Sequence, residues 1–278
     1  MICRRCRIGK LLWKTSLSVD LYGENMLRDD LVNFLNHELD LAAFYNDVSN
    51  NGLQIEGKAE VNKILFAVDA CQQTFDIAVK EDADFIFVHH GLSWGGGLKR
   101  WTNINAKRFS TLFKNDISLY AAHLPLDANP VFGNNAVLSN IINLQERKPF
   151  FNYDGADIGF SGIIPENITL QYLAEKLSSS IGGAYLLRGN PEKICRKAAI
   201  VSGGGGVDSI LEAAKINCDL LITGEMEHIM HHVALETGVA VIALGHYASE
   251  TTGPKALMKT ISETFNIETV FADVPTGL

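Results

Sequence analysis

Three short apolar runs, residues 64–68, 85–88 and 117–122, alternate with two segments of helical apolar spacing, 74–80 and 106–114. Runs of this length, rich in β-branched and aromatic residues, read as strands buried on both faces. Such a strand-helix-strand-helix-strand order requires right-handed crossovers between parallel strands, so the carboxyl ends of all three strands share one edge of a sheet. Open α/β sheets bind their ligands at that edge. The middle run, Phe85-Ile86-Phe87-Val88, passes directly into His89-His90-Gly91, and the third leads into His123-Leu124-Pro125-Leu126-Asp127. Pro125 disfavours helix there, so the segment is expected to be an extended loop that turns Asp127 back toward the two histidines.

The theme recurs downstream. Strands are expected at 158–164, 184–187, 198–201, 220–223, 239–244 and 269–271, and helices at 170–177, 207–215 and 230–236, with a last helix through Leu257 and Ile261. An amphipathic helix over 26–37 opens the pattern, and residues 144–155 are polar and aromatic without periodicity. The expectation is two α/β lobes, about 26–143 and 144–278, with mostly parallel strands flanked by helices and a metal site between the lobes at strand carboxyl ends. Residues 1–25 hold Cys3-x-x-Cys6 and a basic run of Arg4, Arg5, Arg7 and Lys10, without the apolar core or cleavage site of a signal peptide. They read as an extension, disordered or preceding the native start, and one Cys pair supplies only half the ligands of a closed zinc site.

Charge and cysteine usage bound the partners. Acidic side chains outnumber basic ones, 32 to 24, which argues against a surface built for nucleic acid. The 5 cysteines are scattered and odd in number, unlike a disulfide framework, and suit free thiols in a reducing cytoplasm. No apolar run reaches the roughly 18 residues of a membrane span, so no membrane partner is expected.

Candidate ligands gather at the expected strand ends: His89, His90, Asp127, Glu225 after Leu221-Ile222-Thr223, and then His246 and Glu250. The last two are spaced i, i+4, which puts both side chains on one face if a helix starts at Gly245. Mixed imidazole and carboxylate donors suit Zn, Fe, Mn, Co or Ni rather than Ca or Mg. Three His and two carboxylates exceed the three protein ligands usual for one catalytic zinc and point to two ions, which a bridging carboxylate holds roughly 3.5–4 Å apart.

The ordered motifs Asn51-Gly52-Leu53-Gln54, Val88-His89-His90-Gly91, His123-Leu124-Pro125-Leu126-Asp127, Gly133-Asn134-Asn135, Ile222-Thr223-Gly224-Glu225 and Gly245-His246-Tyr247-Ala248-Ser249-Glu250 resemble those of the GTP cyclohydrolase 1 type 2 family, also called Nif-three-like proteins. The resemblance runs from Met26 to the C-terminus. It implies a toroidal homohexamer with two divalent ions held by His89, His90, Asp127, His246 and Glu250, with Glu250 as the bridge. It further implies a hydrolase acting on a small, nucleotide-like substrate, and Glu225 and His232, which match family positions near the site, are candidate catalytic residues, one of them expected to support a ligand from behind or to touch substrate. The same ligands fit a different class, a hexamer that stores or delivers metal or regulates a partner without turnover. A third reading is a structural metal in an ordinary α/β domain.

Several other residues have simpler structural readings. His228 and His231 read as solvated helix positions. Ser202-Gly203-Gly204-Gly205-Gly206 could offer backbone N–H groups to a phosphate, but it lacks the lysine of a P-loop, and a tight strand-to-helix turn is the commoner explanation. His123 is expected to orient Asp127 or touch substrate, and Cys71 to be structural.

Overall fold

In chain order a computed structural model, describing residues 26–278, begins with β1 (Met26–Leu27), α1 (Arg28–Glu38), β2 (Gly52–Ile55), β3 (Glu60–Val61), β4 (Lys63–Asp69), α2 (Gln72–Lys80), β5 (Phe85–His90), α3 (Ile104–Lys114) and β6 (Ser118–Ala121). The Cys3-x-x-Cys6 pair and its basic run lie outside the described residues. β4, β5 and β6 pair in parallel, and β2 closes antiparallel on β6. Side chains alternate across these strands, so one sequence supplies two cores. Phe66, Phe85, Phe87 and Tyr120 pack on one face with Leu31 and Leu35 of α1. Leu65, Ile86, Val88 and Leu119 pack on the other with Phe75 of α2 and Leu112 of α3. Burial on both faces is why these strands read as unbroken apolar runs.

The chain continues through α4 (Leu124–Ala128), α5 (Asn134–Ile141), β7 (Gln145–Tyr153), β8 (Ala156–Thr169), α6 (Leu170–Ile181), β9 (Leu186–Arg188), β10 (Ile194–Val201), α7 (Gly206–Lys215), β11 (Leu220–Thr223), α8 (Met230–Thr237) and β12 (Ala240–Ala243). It ends with α9 (His246–Glu250), α10 (Thr252–Phe265) and β13 (Glu268–Phe271). The second sheet has the order β7-β8-β10-β11-β12-β9. β10, β11 and β12 are parallel, and antiparallel strands flank them on both sides. Both lobes are therefore α/β, with parallel strands at the middle of each sheet.

Two features depart from the expectation. Residues 124–128 form the short helix α4 rather than an extended loop, because Pro125 sits in the first turn, where a missing N–H and a fixed φ cost nothing. The aperiodic stretch after Leu144 is the edge strand β7, in which only Phe150 is buried. An edge strand facing water has no apolar face to alternate, and it tolerates Pro149. The two sheets also interlock. Leu124 of α4 and Leu138 of α5 pack into the two cores of the second sheet, while β13 returns to pair with β4, and α10 brings Leu257 and Ile261 into the first core. Each such fully buried side chain contributes about 1.5–3 kcal/mol, so the crossings fasten one lobe to the other. Among the described residues no helix is long and apolar enough to cross a membrane.

Candidate metal centre

The carboxyl ends of both sets of parallel strands meet between the lobes. His89 and His90 are the last residues of β5, and their ring centres lie 4.5 Å apart; His89 is buried and His90 half-buried. Asp127 comes from α4 after β6, and His246 and Glu250 come from the single turn-and-a-half of α9 after β12. Gly245 starts that helix at φ 88°, a conformation that glycine adopts without strain.

Glu250 lies at the centre. Its Oε1 is 3.5 Å from His89 Nε2, and Oε2 is 3.4 Å from His90 Nε2 and 3.1 Å from His246 Nε2. Asp127 Oδ2 is 3.6 Å from His89 Nε2. The residues expected to converge therefore do: 89, 90 and 127 from one lobe stand within reach of 246 and 250 from the other.

Each imidazole is turned by a partner at its back. His89 Nδ1 donates to Ala122 O at 2.9 Å, His90 Nδ1 to Asp69 Oδ1 at 2.9 Å and His246 Nδ1 to Glu225 Oε1 at 2.7 Å. Carbonyl and carboxylate oxygens only accept, so the proton sits on Nδ1 and Nε2 is left facing the centre, the arrangement that orients metal-ligating histidines. Asp127 is fixed likewise: its Oδ1 accepts from Asn134 Nδ2 and Ser202 Oγ, which leaves Oδ2 toward His89.

These donors fit a cation. With the imidazoles neutral, His89 Nε2 and Glu250 Oε2 are buried acceptors without a donor, a costly condition that either protons on the imidazoles or a metal cation between them relieves. Ligand atoms of His90, His246 and Glu250 lie within 4.8 Å of one another, as do those of His89, His90 and His123. Electrostatics point the same way. Burial alone would drive the His89 imidazole down, but the charges of Asp127 and Glu250 overcome it and push its pKa up to about 10. The Glu250 carboxylate beside it, against the pull of burial, lifts His246 to about 9. Burial pulls Glu250 upward, yet the surrounding imidazoles hold it well below the usual carboxylate range.

Glu225 is at the site, but behind His246 as its hydrogen-bond partner. His232 is not brought there. It is exposed on α8 with its ring 5.1 Å from His231 and 6.4 Å from His228, and it is absent from the walls of the cavity above the centre. The helical pattern around it signalled a surface helix, which is what it occupies. The glycine loop is the tight turn. Gly203 N donates to Ser249 Oγ, and Gly203 O accepts from Gly224 N and Glu225 N, so the loop staples β10 to the turns that carry Glu225 and Glu250.

Two supports were given no role from the sequence. Asp69 stands directly across from His90 in the β4–β5 register, a signal that strand alignment could have supplied. Asp47, from a polar loop, had none. It accepts from His123 Nδ1, Asn51 Nδ2 and the backbone N–H groups of Ser49 and Leu124, and the His123 bond keeps its pKa lowered against burial. His123 is thereby held with its other nitrogen available to the cavity.

The described chain matches the Duf34/NIF3 (NGG1p interacting factor 3) family model over residues 26–277. The chain belongs to that family. Among curated NIF3 relatives, the "GTP cyclohydrolase 1 type 2 homolog" of Pyrococcus horikoshii is 47% identical over 257 residues, covering 91% of this chain and 100% of the relative. The protein of the same description from Archaeoglobus fulgidus is 44% identical over 250 residues, covering 90% and 98%. Two solved structures have the same fold across 91% of this chain and 100% of theirs. Protein ybgI, described as of unknown function, is 34% identical with a TM-score of 0.83, and TTHA1606 from Thermus thermophilus is 38% identical with a TM-score of 0.82.

Proposed function

We propose that this protein is a dinuclear divalent-metal hydrolase acting on a small, nucleotide-like substrate. The observation that carries the reading is Glu250: a buried carboxylate with one oxygen toward His89, which Asp127 also faces, and the other toward His90 and His246. His89, Asp127 and one oxygen of Glu250 would hold one ion, and His90, His246 and the other oxygen would hold the second, with Zn, Fe, Mn, Co or Ni suited to such donors. When bound, two such ions supply Lewis acidity and a nucleophile at neutral pH.

The chain's own groups do the rest. Asp69 and Glu225 hold the His90 and His246 rings in the tautomer that leaves Nε2 free. Asp47 fixes His123, which lines the cavity and exchanges a proton with the substrate. The cavity encloses about 560 Å³, the size of a small-molecule site. The name carried by the curated relatives suggests opening of the imidazole part of a guanine ring. A homohexamer in a reducing cytoplasm belongs to the same proposal, and free Cys71, Cys195 and Cys218 accord with that compartment.

The test is to incubate metal-loaded protein with GTP and related purine compounds and to look for ring-opened product and formate. His89→Ala and Glu250→Gln should abolish turnover, and the native mass in solution should be that of six chains. Turnover unchanged in both variants would remove the reaction from this site.

A further inference from the structure

The walls of the cavity say more than its floor. Trp94, from the loop after β5, stands with its ring centre 5.1 Å from that of His123 and 6.1 Å from that of His90. Phe151 and Tyr153 of β7 line the same space from the other lobe, and Tyr247 of α9 adds a further ring. Phe151 has φ 62°, a conformation that bulky side chains rarely hold. Neighbouring strand residues normally face opposite ways. Here Phe150 is buried in a core cluster and Phe151 packs against that same cluster. The unusual φ goes with an aromatic ring turned to the cavity side, and strain of this kind collects where ligands bind.

The charged groups point one way. Among the described residues no Lys or Arg lines the cavity, whereas Asp69, Asp127, Glu225 and Glu250 do. Two divalent ions would only balance these four carboxylates. Sites that grip a triphosphate surround it with Lys, Arg and backbone N–H donors, and the glycine loop here has spent its Gly203 N–H on Ser249. Asp69 and Glu225 each use one oxygen on a histidine and keep the other as an acceptor at the rim.

We propose that the cavity selects a planar, uncharged or cationic heterocycle bearing N–H donors, a free base or nucleoside in class, held by its ring between aromatic walls and not by a polyphosphate. The inference rests on the two-ion reading of the site and narrows its substrate. Stacking on Trp94 and Phe151 supplies ring affinity without regard to base identity, the rim carboxylates accept from ring N–H groups, and each added phosphate meets an acidic wall.

The experiment is calorimetric binding of guanosine, GMP and GTP, and of adenosine and ATP, to metal-loaded full-length protein, with free guanine as the arm that separates base from nucleoside. Affinity should fall along guanosine, GMP, GTP. Trp94→Ala should weaken guanosine about tenfold or more while Trp94→Phe keeps most of it. Phe151→Asn, whose new residue accepts positive φ but gives up the ring's packing on the core cluster, should weaken binding while circular dichroism shows the protein still folded. Affinity that rises with phosphate number, no binding of any nucleoside or base, or indifference to Trp94→Ala overturns the proposal. Elemental analysis of the same samples keeps the two claims apart. Two ions bound with GTP preferred overturns this inference alone, whereas nucleoside preference without bound metal overturns the metal reading alone.

Discussion

The Ser202 hydroxyl donates across the lobe interface to Asp127 Oδ1 at 3.0 Å. Ser202 follows β10 of the second sheet and Asp127 belongs to α4 after β6 of the first, so this bond ties the aim of a candidate ligand to the docking of the lobes. Ser202→Ala removes the bond and leaves Asn134 as the remaining partner of that oxygen. Metal affinity should drop about 10-fold, at the low end of what partners behind a ligand usually cost, with little change in fold. Competition against a chelating dye measures it, and an unchanged affinity would mean that Asn134 alone aims the carboxylate.

Gly203 makes a second demand on the same turn. A Cβ at this position would lie 2.1 Å from Glu250 Oε1, and the residue has φ 62°. Gly203→Ala must therefore displace the central carboxylate as well as strain the backbone by about 1–2 kcal/mol. Metal content should fall from two ions to one or none, while circular dichroism stays native. Retention of both ions would show that Glu250 has slack that the packing does not suggest.

Much of this arrangement was written in periodicity, and the exceptions share a cause. β4, β5, β6, β11 and β12 are covered on both sides, so their apolar runs are continuous and their last residues mark the ligand edge. His89, His90, Asp127, His246 and Glu250 could be read for that reason. β7 was hidden because an edge strand with one buried residue, Phe150, carries no alternation. The return of β13 to the first sheet and the entry of Leu124 and Leu138 into the second are tertiary pairings, which local pattern does not encode. His232, close to the candidate ligands in motif order, lies exposed on α8, and motif order alone does not encode which face of a helix a residue takes. Asp47 was invisible because an acid in a polar loop looks the same whether it is solvated or, as here, has a fully buried side chain.

That burial makes Asp47 a test of stability as well as of function. Asp47→Ala strips acceptors from two backbone N–H groups, from Asn51 and from His123. Unsatisfied donors at charged bonds of this sort cost about 1.5–3 kcal/mol each where water does not replace them. Allowing for partial rescue, urea denaturation should show a loss of about 2–4 kcal/mol. Asp47→Asn should lose less, because its amide oxygen still accepts, yet it should change the pH profile of any turnover that uses His123. Equal stability of all three proteins would mean that the loop from Tyr45 to Asn51 does not depend on this carboxylate.

Protonation links these terms to metal uptake. In the metal-free protein His89 has its pKa raised to about 10 and His246 to about 9, both above the unfolded value near 6.5. Their contribution to metal-free stability is therefore complete below about pH 6.5 and fades as pH rises through 9 and 10. Glu250, held low in the fold, contributes oppositely: its share is present above about pH 4.5 and is lost as acid protonates it. A bound ion needs neutral imidazole, so binding near pH 7 must expel the protons from His89 and His246 and grow tighter toward pH 9. Calorimetry in two buffers of different ionisation enthalpy should show proton release at pH 7 that shrinks by pH 10. The melting temperature of metal-loaded protein should rise above that of chelator-treated protein by a margin that widens from pH 6 to pH 9. A margin that narrows over that range, or binding without proton release, would mean that these two imidazoles are not the groups the ion displaces protons from.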